Sequence, residues 1–211
     1  MNILNVVAIL INYLLRVPGI VIAVTIHEFV RALVSTRLGD LLPREGGRLT
    51  FNPFKQMDAI GFFLLLFFGF GWGNPVRTSP TYYRNRRVGT LLTYATPIVI
   101  NIIIAMFMFL AYQFIAMGGM TQTVPALSVI SSIFAYAAVY NLTYGIFNLI
   151  PVYPLAGSKL LSVFVSPGTS VKFAQYEKVL QIVLVFLIAF NMFNFITDLA
   201  VWVFDLSARL F

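Results

Sequence analysis

Apolar residues in this chain come in runs too long and too uniform for a water-facing surface, and polar residues gather in the short stretches between them. Residues 2–15 (NILNVVAILINYLL) predict a helix. At about 1.5 Å per residue it falls short of the ~30 Å hydrocarbon core, and Arg16-Val17-Pro18 follows it, so it is expected at the outer interface. Val17 to Leu38 predicts the first spanning helix, ended by Gly39 and Asp40, and Arg31 and Arg37 place that end in the cytosol. The Gly, Pro and alternating pattern of residues 41–58 predicts a short membrane-edge β-hairpin with Arg48-Leu49-Thr50-Phe51 as a strand. Ile60 to Phe70 is too short to cross and is followed by the basic loop Arg77 to Arg87, so it is read as re-entrant. Val88 to Gln113 spans outward, the uncharged loop 118–126 turns at the far side, and Leu127 to Ile150 returns. Pro151 to Lys178 is again cytosolic, with Lys159 and Lys172. Val179 to Phe211 exceeds one straight crossing, and Asn191, Asn194 and Asp198 predict a bend or an interfacial continuation. The expected fold is an all-α polytopic membrane protein: about four transmembrane helices plus a re-entrant segment and a short membrane-edge β-hairpin, in one domain over residues 1–211.

Composition agrees with that pattern. Hydrophobic residues make up 60% of the 211 and charged residues 10%, against ~45–50% and ~25% in soluble domains. The net charge of +7 resides in loops beside apolar segments, so it reads as membrane topology and excludes nucleic acid as the expected partner. Arg84, Arg86 and Arg87 are read as an anchor meeting anionic head groups. The absence of cysteine removes disulfides and thiolate metal sites. Met1 to Leu15 has neither a basic start nor a small-residue cleavage site, so it is expected to be retained. The glycines of GFGWG (69–73) lack the Lys-Ser/Thr ending of a phosphate loop and are read as a membrane-edge turn.

The candidate chemistry sits in the first spanning helix. His27-Glu28-Phe29-Val30-Arg31 begins like His-Glu-x-x-His, in which two His one helical turn apart bind zinc and the Glu acts as general base on zinc-bound water. Arg31 stands at the second His position. Ionisable groups inside a span are costly, which makes this cluster a functional candidate.

Four segments in order resemble the site-2 protease family of intramembrane zinc metallopeptidases, in the branch without an inserted PDZ domain, over about residues 17–165. VPGIVIAVTIHEFVRALVSTRLGD is similar to its first catalytic helix. GRLTFNPFKQMDAIG resembles its membrane-edge hairpin, and GFGWGNPVRTSPTYYRNRRVG the loop that follows, with Asn74-Pro75-Val76 where the family usually has Lys-Pro-Val. TPIVIN (96–101) is similar to Gly-Pro-x-x-Asn, with Thr96 for the Gly and Asn101 one residue late. NLIPVYPLAGSKLL (148–161) resembles Asn-x-x-Pro-x-x-Pro-x-Asp-Gly, whose Asp is the third zinc ligand and is replaced by Ala156. Residues 179–211 form a further C-terminal membrane segment.

The resemblance implies Glu28 as the family's general base, silent here, and His27 as the sole remaining ligand position, with Arg31 and Ala156 as altered ligand positions. It also nominates Arg48, Asn52, Asn101 and Asn148 to line a substrate groove. No cofactor is then expected; zinc would need further ligands from the seven carboxylates, for example Asp58 or Asp198. In an intact site zinc (+2) is opposed by the ligand Asp and the catalytic Glu, whereas here Arg31 faces Glu28 alone, and both sets sum to zero. The leading expectation is a pseudoprotease that binds membrane proteins or assembles with them. Its partners would be lipid and the transmembrane segments of other proteins, taken by strand addition to the hairpin. An active zinc protease with unusual ligands and a structural subunit of a larger membrane complex are the alternatives. The expected location is a prokaryotic cytoplasmic membrane, with the former active site near the cytosolic side.

Overall fold

The computed structural model describes residues 3–117 and 124–208, so most of the far-side loop read at 118–126 lies outside the described residues. Among the described residues three helices are long and apolar enough to cross a membrane: α1 (Ile3–Arg37), α5 (Arg86–Met117) and α6 (Pro125–Phe147). They pack into the central bundle.

α1 corrects the expected break at Arg16-Val17-Pro18, because one helix of 35 residues runs through Pro18. Proline removes one backbone donor. In hydrocarbon, however, the remaining backbone groups have no water to turn to, so the helix continues past it. Arg16 is accommodated beside the helix, its guanidinium 5.0 Å from the Tyr13 ring centre and 5.7 Å from that of Tyr136. One turn later Gly19 forms the crossing with α6: a Cβ there would stand 2.9 Å from the Ala137 Cα, so only glycine lets the two backbones approach.

The expected β-hairpin is also corrected. Residues 41–58 form no strand; they fold into two helical turns, α2 (Leu42–Glu45) and α3 (Pro53–Gln56), each with a proline in its first turn. The reason lies in Gln56, whose Nε2 donates to the carbonyls of Arg48 and Thr50 at 2.9 and 2.7 Å. That side chain fills the acceptors a ladder partner would have used. A single antiparallel bridge, Met57 to Gly73, is all the β pairing in this region.

That bridge closes a doubled-back segment. α4 (Ala59–Phe68) is capped by Asp58 and ends at Gly69, whose φ of +83° reverses the chain. Ten helical residues rise about 15 Å, and residues 69–73 return nearly that distance in extended form. The return lies so close that a Cβ on Gly61 would stand 2.0 Å from the Trp72 carbonyl oxygen. Phe70 and Trp72 then pack with Phe147, Leu184 and Phe193.

After α7 (Ala156–Phe164) and α8 (Pro167–Gln175), the C-terminal stretch is a bent pair, α9 (Glu177–Ala189) and α10 (Asn194–Ala208). The two axes differ by 61°, and counting them as one span brings the spans to four. The break falls at Asn191, which has φ +56°, a conformation Asn tolerates better than most residues. α10 returns to the bundle through Ala200 and through Phe204, stacked on Phe109 at 4.5 Å.

Candidate functional site

His27, Glu28 and Arg31 share the inward face of α1 and are 0%, 2% and 1% exposed. The hydrogen bonds assign each proton. Asn101, on α5, donates through Nδ2 to the Ala23 carbonyl (3.0 Å) and to Asn141 Oδ1 (3.2 Å). Asn141, on α6, is oriented in turn by donating to the Ala137 carbonyl (2.8 Å). Asn101 therefore presents only its oxygen to His27 Nδ1, at 3.0 Å, so Nδ1 carries the proton and Nε2 the lone pair. Arg31 Nη2 donates to that Nε2 at 2.9 Å. Arg31 Nη1 meets Glu28 Oε2 at 2.9 Å, and the same oxygen accepts from the Val76 amide at 3.1 Å.

Aromatic rings enclose this network. The Tyr94 ring centre lies 5.1 Å from the Arg31 guanidinium carbon, and Tyr144 stands edge-on to His27 at 5.2 Å. Tyr144 also accepts from the Gly73 amide through its hydroxyl at 3.0 Å, tying the return segment to the bundle. Gly73 is required there, because a Cβ would stand 2.8 Å from Val24 and 3.1 Å from the Glu28 side chain.

Ala156 is fully buried among Tyr94, Ile98 and Leu160, and it adds no donor atom. Its amide donates to Asn148 Oδ1 at 3.3 Å, so Asn148 fixes the start of α7. Asn101 and Asn148 are both buried. Asn52 is exposed and caps α3 by accepting from the Phe54 amide. Arg48 is partly buried, donating to Gln56 Oε1 (2.8 Å) and to the Asn74 carbonyl (2.6 Å). Burial pulls its guanidinium below the ordinary value, with Glu28 opposing the shift and Arg31 reinforcing it.

Asp40 and Asp58 are bonded elsewhere. Asp40 accepts from the Ser35 hydroxyl and from the Ser79 and Leu42 amides. Asp58 accepts from the Gly61 amide and Trp72 Nε1. Asp198 lines a separate cavity with Arg16. Among the described residues no three His, Cys, Asp or Glu side chains come close enough together to hold a metal, and zinc needs three protein ligands. The donor set does not fit the ion.

Asn141 and Tyr144 were not singled out from the sequence. Their signal was present: two polar residues three apart on one face of an otherwise apolar span.

Fold and site together define an integral membrane helix bundle with a buried His-Glu-Arg cluster held between its first helix and the next two spans. The chain is 32% identical over 159 residues to YwhC of Bacillus subtilis, provisionally named a zinc metalloprotease, covering 75% of this chain and 72% of that protein. It is 26% identical over 205 residues to Rip2 of Mycolicibacterium smegmatis, which carries the same provisional name, covering 92% and 74%. No family model and no solved structure matches the chain. The chain belongs to the site-2 protease family.

Proposed function

We propose that this chain is a pseudoprotease of its family: it keeps the membrane bundle, binds no zinc at His27, does not cleave peptide bonds, and acts by binding other membrane proteins. The observation that carries the reading is the contact from Arg31 Nη2 to His27 Nε2 at 2.9 Å. The one histidine nitrogen with a lone pair is already satisfied, and its neighbour is a permanent cation that repels a metal. Glu28, which would serve as base toward a bound water, instead accepts from Arg31 and from the Val76 amide. A carboxylate so occupied is a poor base.

Binding in place of chemistry suits the exposed apolar flank of α4, where Phe63 and Phe67 stack in parallel with ring centres 6.3 Å apart. In this reading the partners are transmembrane segments of other proteins, met within the bilayer of a prokaryotic cytoplasmic membrane, with the His-Glu-Arg cluster toward the cytosolic side. Strand addition at residues 48–54 plays no part, because Gln56 occupies the carbonyls it would need.

Metal analysis of the purified full-length protein tests the reading. Less than about a tenth of an equivalent of zinc is expected in wild type, and near-stoichiometric zinc only when Arg31→His and Ala156→Asp are combined. Stoichiometric zinc in wild type, lost to chelator together with peptide cleavage, would end it.

A further inference from the structure

In front of Arg31 lies a cavity of about 350 Å³ whose charged lining residues are Arg31, Arg77 and Lys159, with no carboxylate among them. They come from three directions: α1, the extended loop after the return segment, and α7. Two of these cations are paired with acids, Arg31 with Glu28 at 2.9 Å and Lys159 with Glu177 at 3.5 Å. Arg77 adds a further positive charge, and Arg48 is fixed to the carbonyl of Asn74 at the cavity edge.

Arg31 itself is incompletely used. Two of its nitrogens serve His27 and Glu28, but Nε is buried and meets no hydrogen-bond acceptor. An orphaned donor on a buried guanidinium is costly unless a ligand or water supplies the acceptor. The Thr78 and Tyr94 hydroxyls, 2.9 Å apart at the same wall, bond to each other, and one proton of the pair remains free to point outward.

We propose that this cavity binds a phosphate group, held between Arg31, Arg77 and Lys159. Cations converging from three sides suit a tetrahedral anion, whose oxygens point in several directions, better than a carboxylate, whose acceptors lie in one plane. The ligand is larger than the ion alone. A second cavity of about 270 Å³ shares Tyr94, Tyr153 and Lys159 and continues over Leu161, Val165 and Phe173, with Glu177 as its one carboxylate, paired to Lys159. Cations at one end and an apolar wall at the other fit a phosphate ester carrying an organic or acyl group. The proposal rests on the metal-free reading above, since it uses Arg31 as a fixed cation.

Calorimetric titration of full-length protein in neutral detergent with glycerol phosphate tests it, with inorganic phosphate and acetate alongside. Native mass spectrometry of protein released from phosphatidylglycerol nanodiscs provides a second arm. Saturable phosphate-ester binding, weakened about tenfold by Arg77→Ala or by Lys159→Ala, marks a soluble ligand. A single retained lipid, lost in the double variant, marks a head group; either result supports the site. Arg77 is exposed and the Lys159 side chain is 45% exposed, so both variants should fold, which circular dichroism checks. The site is refuted if no phosphate compound binds wild type better than the double variant, or if acetate binds equally well. Zinc assayed on the same sample separates the failures: zinc present overturns the metal-free reading and this site with it, whereas zinc absent without binding overturns this site alone.

Discussion

Replacing Arg31 by methionine tests whether the buried pair is an integral part of the fold. The variant leaves Glu28 without its cation and His27 Nε2 without its donor, in a place where both side chains are almost wholly buried. At 2.9 Å the Coulomb attraction is about 6 kcal/mol for an effective dielectric constant near 20, and desolvation of both ions offsets much of it. Breaking such a pair from one side costs about 3–5 kcal/mol, because the surviving charge stays buried. An exposed pair would cost at most about 1 kcal/mol. The expected loss for Arg31→Met is therefore about 3–5 kcal/mol, out of the roughly 5–15 kcal/mol that holds an ordinary domain together. Glu28→Gln strands Arg31 in the same way while keeping an acceptor for the Val76 amide. The double variant removes both charges, so it should lose about 2–3 kcal/mol less than the sum of the singles. Equilibrium unfolding in mixed micelles, followed by tryptophan fluorescence, measures all four corners of the cycle. Losses that add to within about 0.5 kcal/mol, or an Arg31→Met variant within about 1 kcal/mol of wild type, would refute a coupled buried pair.

Asn101→Ala removes the acceptor of His27 Nδ1 and the donor to Asn141, so it should destabilise by about 2–4 kcal/mol; because Arg31 still donates to Nε2, nitrogen NMR of labelled histidine should show the same tautomer with a changed Nδ1 shift. Gly61→Ala drives a Cβ into the Trp72 backbone and should lift residues 69–73 off α4, at a cost of about 1–3 kcal/mol or more, with red-shifted tryptophan emission as the readout. Tyr83 lies within a chain of bonds in which Thr93 donates to Tyr83, Tyr83 to Ser35 and Ser35 to Asp40. Burial raises its hydroxyl above the ordinary value of 10.0, while the Ser35 and Thr93 bonds oppose that shift. A group raised on folding contributes stability that is intact below the unfolded value and lost as pH rises through the folded one. Wild type should therefore lose stability above about pH 10 more steeply than Tyr83→Phe, which unfolding curves at about pH 9 and above would show.

Features that depend on length and local spacing were readable in the chain. The spans follow from apolar runs measured against bilayer thickness, and the doubling back of α4 from a run too short to cross. The Glu28–Arg31 contact follows from a three-residue spacing on one helix. Features set by distant partners were not. Residues 48–51 do alternate, but whether they pair as a strand depends on the Arg48 and Thr50 carbonyls, and Gln56 takes both. Arg16-Val17-Pro18 resembles a helix stop because a proline and a charge stand together, yet Tyr136 on another helix receives the arginine. Asn101 lies 74 residues from His27 in sequence, and only the bundle brings the two together.

The charges at the site explain why Arg31 and Ala156 suit one another. Consider the buried cluster without metal. Arg31→His combined with Ala156→Asp leaves two carboxylates unopposed, Glu28 and the introduced aspartate, a net charge of −2. Changing only one of the two positions leaves −1, because either Glu28 faces no cation or Arg31 faces two carboxylates. Arg31 with Ala156 alone gives zero, and it also satisfies the His27 lone pair. A poorly hydrated interior penalises the first three states heavily. With zinc the order reverses: the His-Asp combination is neutral and the present one would carry an excess of +2. The charges of the residues found at positions 31 and 156 thus balance in the empty site and would not balance in a filled one, which is what the metal-free proposal requires.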